Sequence, residues 1–372
     1  MFLKTESYGV SKPIKLNQLK LLNFRCFQEI AWAFEGKHIF ISGENGVGKT
    51  ALLEALSLFA PGKGLRQAKL SEIQSYTFKT QAWCVNLDLT SAYGHGFELA
   101  TAFEQKFDVE KRLLKSNQTL IKQNELQEIV NFVWLTPQLE RQFHDSNTAR
   151  RKFIDRLIAQ YDPSHTGRIA RYEKLMSQRR FLLQQKQYDA LWVEVLEHDL
   201  SKTAISIIAT RLEFVEKLQH YCIDLVSDFP EVQITLKGEI ESHFLEKPAL
   251  EVETLMIDCL KNARNISQDI TPMGAHKVEV DLIFKQTNTP YRLCSTGQQK
   301  AIFVRLILGH IELLKQENQI QPVVLLDDIR AHLDDRRLQQ LICELDQGSS
   351  QIFYTGTAFP DLTVQDAQKI KL

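Results

Sequence analysis

The sequence predicts an α/β fold whose core is interrupted by a helical insertion and then resumed. Three observations predict it. A glycine-rich segment at 43–50 sits between an apolar run at 38–41 and an apolar-periodic segment at 51–59, which reads as strand, loop, helix. A second apolar run at 323–326 ends in two adjacent carboxylates, Asp327 and Asp328. Between them, residues 148–220 hold one proline and one glycine among many Arg, Gln, Leu and Glu, so long helices are expected there.

Composition sets the bounds. The 372 residues, 44% hydrophobic and 24% charged, suffice for a full core and two lobes. The formal net charge is −1, so nucleic-acid contact has to come from local basic clusters. The six cysteines, Cys26, Cys84, Cys222, Cys259, Cys294 and Cys343, form no Cys-x-x-Cys pair and have no zinc-finger histidine spacing. They read as reduced thiols of a cytosolic protein. No signal-peptide stretch and no run of about 18 apolar residues occurs, so neither secretion nor a membrane span is expected.

In chain order, residues 1–14 lack periodicity and read as a flexible end. Alternation over 14–34 predicts a half-buried hairpin. Short strands follow at 38–41, 83–89, 97–103 and 112–114, with a turn at 93–96. A buried strand at 130–135 is stopped by Pro137. The helices of the insertion break near Pro163 and Gly167. A strand at 232–236 and a helix at 250–266 come next. Strands then return at 278–284, 323–326 and 351–354, around a helix at 298–316.

Gly43-Glu44-Asn45-Gly46-Val47-Gly48-Lys49-Thr50 fits the phosphate-loop pattern in full. Its glycines let backbone amides approach phosphate oxygens without a Cβ in the way. The helix beginning near Lys49 adds its positive end. Lys49 reaches the β- and γ-phosphates, and the Thr50 hydroxyl ligates magnesium. A flexible glycine turn is the bland alternative, and the flanking strand and helix argue against it. Asp327 and Asp328 end a buried strand at the edge where ligands sit in open α/β folds. Alone, two such acids serve equally as a turn or helix cap. Paired with the loop, Asp327 faces the metal and Asp328 addresses water. Cys294-Ser295-Thr296-Gly297-Gln298-Gln299-Lys300 opens the 298–316 helix with small residues and exposed amides, an anion site or a plain Ser N-cap.

Together these elements resemble the ABC-type ATPases of the SMC group. Further strings resemble the RecF family within it: Leu21-Leu22-Asn23-Phe24-Arg25, Trp134-Leu135-Thr136-Pro137, Arg150-Arg151-Lys152-Phe153-Ile154-Asp155-Arg156, Arg179-Arg180-Phe181-Leu182-Leu183 and Thr271-Pro272-Met273-Gly274-Ala275-His276. They run in family order over nearly the whole chain, and the insertion is too short for a long coiled-coil arm. The resemblance implies an SMC/RecF-like ATPase head with a mixed sheet plus a helical insertion lobe. Its boundaries are a flexible 1–14, an ATPase lobe at 15–147, a helical arm lobe at 148–270 and the rest of the ATPase lobe at 271–372.

The resemblance also implies roles. ATP and Mg2+ are the cofactors, with Gly43, Glu44, Asn45, Gly46, Val47, Gly48, Lys49 and Thr50 around the phosphates and Arg25 near the base or phosphates. Ser295, Gly297 and Gln298 complete the site of a second subunit, which makes the homodimer ATP-dependent. Thr50, Asp327 and Gln138 hold the metal; the family usually has an acidic residue in place of Gln138. Asp328 and Lys49 are catalytic. Asp334 belongs to a loop crossing the dimer interface, and Thr355-Gly356-Thr357 occupies a switch position. The implied activity is a weak, DNA-stimulated ATPase that gates a DNA clamp. It serves repair of single-strand gaps, replication restart and the SOS response, loading RecA with RecO and RecR. DNA is bound as duplex or single-strand/duplex junction with little sequence specificity, in the cytoplasm at the nucleoid.

Two departures stand out. Lys277-Val278-Glu279 replaces the family's Arg-Asp-Asp, and Ala331-His332 replaces a Ser-Glu pair. Arg150, Arg151, Lys152 and Arg156, Arg168 and Arg171, and Arg179, Arg180 and Lys186 are basic clusters of the insertion. They are solvated helix faces on sequence alone, and DNA phosphate contacts under the resemblance. Other readings stay open: a transporter's nucleotide-binding subunit, an SMC-like ATPase of another DNA-maintenance or defence system, or a member that does not hydrolyse ATP.

Overall fold

A computed structural model describes residues 13–75, 82–106, 109–185, 187–225, 227–266, 271–331, 333–359 and 364–372. The expectations placed on residues 1–12, Lys186 and His332 lie outside them. The first part of the chain forms β1 (Lys15–Phe24), β2 (Phe27–Ala33), β3 (His38–Ser42), α1 (Lys49–Ser57), α2 (Leu70–Ile73), β4 (Ala82–Thr90), β5 (Gly96–Lys106), β6 (Val109–Ser116), β7 (Thr119–Leu120), α3 (Gln123–Ile129), β8 (Phe132–Leu135) and α4 (Pro137–Asp145). The insertion forms α5 (Asn147–Tyr161), α6 (His165–Leu183), α7 (Ala190–Asp224), β9 (Val232–Lys237), α8 (Glu239–Glu246) and α9 (Ala249–Ile266). The remainder forms β10 (Glu279–Phe284), β11 (Thr289–Pro290), α10 (Thr296–Glu317), β12 (Val323–Leu326), α11 (Asp335–Gly348), β13 (Ile352–Gly356) and β14 (Ala367–Lys371).

Two compact units result. One runs to Arg141 and takes in Asp224–Pro230 and Ser295–Leu372; the other is Gln142–Ile223 with Glu231–Cys294. The first unit holds two sheets. One is antiparallel, in the order β2-β1-β4-β5-β6-β7, and the other is parallel, in the order β14-β3-β13-β12-β8. The parallel and antiparallel strands expected in one mixed sheet therefore sit apart. The strand sequences carry the reason. β1 and β4 alternate buried with less buried residues, as one-sided sheets do, whereas Val323–Leu326 and Phe132–Leu135 are buried throughout. One core joins them, with Leu19, Leu21, Phe24, Leu52, Leu56, Trp83, Phe132, Leu325 and Phe353 buried together. Trp83 meets Phe24 edge-on and stacks on Phe103, while its indole N–H donates to the Leu70 carbonyl at 2.8 Å.

The second unit packs α6, α7, α8 and α9 through Tyr172, Leu200, Ile208, Ile240, Met256 and Leu260. It is not wholly helical. β10 pairs with β9 from Glu279 opposite Lys237 to Phe284 opposite Val232. That pairing corrects the 270/271 boundary: residues 271–294 fold with the insertion, because the partner strand lies there. The break in the helices falls at Pro163, and Gly167 lies inside α6. Conversely, residues 224–230 return to the first unit. There Arg305 Nη2 donates to the Leu225 carbonyl at 2.8 Å and Ser227 Oγ donates to Glu344 Oε1 at 2.7 Å.

Candidate nucleotide site

β3 delivers the chain to the 43–50 loop, and α1 carries it away. Gly46 and Gly48 have φ of 89° and 111°, a region that side chains strain to enter. At Gly48 a Cβ would also stand 2.3 Å from the Phe27 ring and 2.8 Å from Cys26 Sγ, so the β1–β2 hairpin turn packs directly on the loop. Lys49 Nζ donates to the carbonyls of Gly43 and Glu44, both at 2.7 Å, and so lies along the loop it would share with phosphate. Glu44, Asn45 and Gly46 are exposed.

The parallel sheet brings the second element to this loop. β12 lies between β8 and β13, and β13 pairs with β3, so the ends of these strands share one edge. There Thr50 Oγ1 donates to Asp327 Oδ1 at 2.9 Å, with Oδ2 at 3.2 Å. Thr355 Oγ1 donates to the same Oδ1 at 2.7 Å and accepts the Asp328 N–H at 2.9 Å. Asp327 is 8% exposed, and its N–H donates to the Leu135 carbonyl. Asp328 turns out of the strand at φ 47° and is exposed. Opposite fates for neighbouring acids were readable from strand alternation; the double anchoring by Thr355 was not.

A cavity of about 380 Å³ opens over these residues, lined by Gly46, Gly48, Lys49, Thr50, Asp327 and Asp328 together with Thr355 and Pro137. Arg25, Cys26 and Arg66 complete its wall. Arg25 sits at φ 54° in the turn and grips Glu54 with two prongs, Nε to Oε2 at 2.8 Å and Nη2 to Oε1 at 2.5 Å. Its Nη1 donates to the Glu72 carbonyl at 2.5 Å. Arg66 Nη1 lies 3.8 Å from Glu54 Oε2. Partial burial raises the Cys26 thiol above its ordinary value. Sequence reasoning missed Glu54 and Arg66. The available signal was spacing: Glu54 follows Thr50 by one helical turn and is the only charge among the apolar residues of 51–60.

The third element stays away from this cavity. Ser295 caps α10, accepting the Gln298 N–H at 3.4 Å, while Gln298 Oε1 accepts the Ser295 N–H at 2.8 Å. Ser295, Thr296 and Gly297 are exposed, and none of the three lines the cavity. Gln138 is exposed in the first turn of α4; its neighbour Pro137 lines the cavity and Gln138 does not. Asp334 caps α11, its Oδ1 accepting the Arg337 N–H at 2.8 Å. Among the described residues, no group of three or more His, Cys, Asp or Glu is placed to hold a metal. A Thr50–Asp327 pair needs a nucleotide's oxygens to complete a magnesium shell.

The basic residues of the insertion divide. Arg150 is 3% exposed, bonded to Asn147 Oδ1 at 3.0 Å, and burial pushes its guanidinium down. Arg179 is 2% exposed and paired with Glu197 at 2.9 Å, and Arg264 meets the same carboxylate. Arg151 donates to the Val278 carbonyl and to Thr148 Oγ1. Arg150 and Arg179 are thus corrected from surface phosphate contacts to interior residues of the unit: Arg179 is drawn in with Glu197, while Arg150 bonds Asn147 and leaves Nε and Nη1 buried without a hydrogen-bond partner. Lys152 and Arg180 are exposed. Arg168 pairs with Asp162, and burial holds the Arg156 guanidinium down at about 9.

The family profile described as RecF/RecN/SMC N terminal domain matches residues 15–371. The chain is similar to the DNA replication and repair protein RecF of Rickettsia massiliae (strain Mtu5), 33% identical over 365 residues, covering 97% of this chain and 100% of that one. Its likeness to the RecF of Rickettsia canadensis (strain McKiel) is 34% over 366 residues, with the same coverage. Among solved structures it is similar to the recombination mediator protein RecF bound to ATP in the RecFOR pathway. There the TM-score is 0.82 at 22% identity, covering 98% of both chains. An SMC head bound to the C-terminal winged-helix domain of ScpA matches at TM-score 0.52 and 13% identity, covering 96% of this chain and 94% of that one.

Proposed function

The chain belongs to the RecF family of DNA replication and repair proteins, within the RecF/RecN/SMC group, and from that premise we propose that it is an ATP-gated DNA clamp. The observation that carries the reading is the meeting of Thr50, Asp327 and Thr355 beside the 43–50 loop, around one cavity. Loop amides and Lys49 take the phosphates, and Lys49 exchanges its Gly43 and Glu44 carbonyls for phosphate oxygens. Thr50 and Asp327 would hold a magnesium ion, whose charge offsets that of the β- and γ-phosphates; Gln138 would join only after movement of α4's first turn. Asp328 orients the attacking water and takes its proton as the γ-phosphoryl group passes from ADP to that water.

Ser295, Gly297 and Gln298 serve the site of a second copy, a reading supported by the exposure of Ser295 and Gly297 and by the absence of all three from the lining of the chain's own cavity. ATP then favours the closed dimer through its higher affinity for a completed site, and hydrolysis releases it. We infer a slow, DNA-stimulated turnover that gates binding to duplex and single-strand/duplex junctions. The relatives' names, a DNA replication and repair protein and a recombination mediator of the RecFOR pathway, support a place beside RecO and RecR; we infer from it a role in loading RecA at gaps, in the cytoplasm at the nucleoid. No described helix is long and apolar enough to cross a membrane. Sedimentation with and without ATP and a gapped duplex tests the clamp. ATP should double the mass and Lys49→Ala should stay monomeric; ATP-independent mass in both proteins refutes it.

A further inference from the structure

Glu54 is a fully buried carboxylate on α1, in a buried run from Ala51 to Ala60 whose other side chains are apolar apart from Ser57. A buried charge of this kind is costly to desolvate, and an apolar residue of similar size packs as well or better. Its partners explain its presence. Arg25 takes both oxygens, at 2.8 and 2.5 Å, and Arg66 stands 3.8 Å from one of them. Both arginines line the nucleotide cavity, whereas Glu54 does not. The left-handed Arg25 backbone is held as well, its N–H donating to the Ile73 carbonyl at 2.9 Å. Nε, Nη1 and Nη2 of Arg25 each donate once, and each terminal nitrogen carries a second N–H. Glu54 follows Thr50 on the same helix, one turn on, so the end of the phosphate loop and the clamp on the arginines share one element.

We propose that Glu54 is a positioning residue for the nucleotide, holding Arg25 and Arg66 at the cavity wall so that their guanidinium groups meet a bound anion already oriented. The proposal rests on the nucleotide reading above. Without Glu54 the two like-charged guanidinium groups repel across the wall and regain rotamer freedom, which bound nucleotide then has to remove.

The test uses the full chain, magnesium and a fluorescent ATP analogue, read by anisotropy, with steady-state hydrolysis alongside. Glu54→Gln keeps the shape and removes the charge. It should raise Kd and KM about tenfold, with kcat within about twofold, the size of one charge-assisted hydrogen bond removed. In an Arg25→Ala background the same substitution should cost less than it does alone, because its main partner is gone. Wild-type affinity in Glu54→Gln, or losses that multiply independently in the double variant, overturn the proposal. If Lys49→Ala still abolishes binding in those cases, the nucleotide reading stands and only the Glu54 role falls. Should Glu54→Gln fail to fold, Glu54→Asp keeps the charge on a shorter arm and is expected to raise Kd. Unchanged affinity there also overturns the role. A wild-type chain that does not bind the analogue removes the premise itself.

Discussion

Asp327 gathers two hydroxyl donors on one carboxylate, and through Thr355 the arrangement reaches the backbone of Asp328. The acid proposed for the metal and the acid proposed for the attacking water are therefore joined by one threonine. Thr355→Val keeps the shape and removes both bonds. It should slow single-turnover hydrolysis about tenfold, the scale of a missing hydrogen bond at a positioned group, while ATP affinity changes much less. A proportionate loss of affinity instead would place Thr355 in binding. Asp328 differs because it is exposed and held in a left-handed turn rather than by packing. Asp328→Asn should bind ATP normally and lose about a hundredfold or more in hydrolysis, as removal of a proton acceptor does. Normal turnover refutes its role.

Among the elements, Trp83 is the clearest structural anchor: fully buried on β4, edge-on to Phe24 and stacked on Phe103, with its indole hydrogen bond made. Trp83→Ala should lower unfolding free energy by about 3–5 kcal/mol in denaturant titration, with the first unit's transition moving. The strands with local signatures were legible in the sequence. β3 and β12 read as apolar runs, β4 and β5 as short strands around the 93–96 turn. β14 was not, because Ala-Gln-Lys-Ile-Lys is polar and becomes a strand only by pairing with β3. Nor was the β9–β10 pairing, which joins strands far apart in the chain and moves a domain boundary. The candidate site was legible where a motif is contiguous, as at 43–50, and where an acid ends a strand. It was not legible where side chains converge from separate elements, as Arg25, Glu54 and Arg66 do. The burial of Arg150 and Arg179 was hidden for a related reason: charge in sequence does not say which face of α5 or α6 is turned inward, and Arg179 has its partner, Glu197, on α7.

For the whole molecule, that last distinction separates folding from DNA binding. Arg179 and Arg264 share the buried Glu197 carboxylate. Arg179→Glu leaves like charges buried together, so it should destabilise the fold by about 3–5 kcal/mol, seen as a lowered denaturation midpoint. Lys152 and Arg180 are exposed. Lys152→Glu with Arg180→Glu should leave stability within about 0.5 kcal/mol of wild type, as surface changes do. If the DNA reading is right, the same pair weakens duplex binding and lowers the slope of log affinity against log salt by about 1–2, roughly one unit for each phosphate that is no longer neutralised. An unchanged slope in the folded double variant moves the DNA surface elsewhere on the chain. The experiment belongs to the proposed ATP-bound dimer, because a net charge of −1 supplies no general attraction to DNA. Affinity then depends on how many local cations two copies present together, and Lys49→Ala, which should not dimerise, should lose the salt-dependent component along with the ATP response.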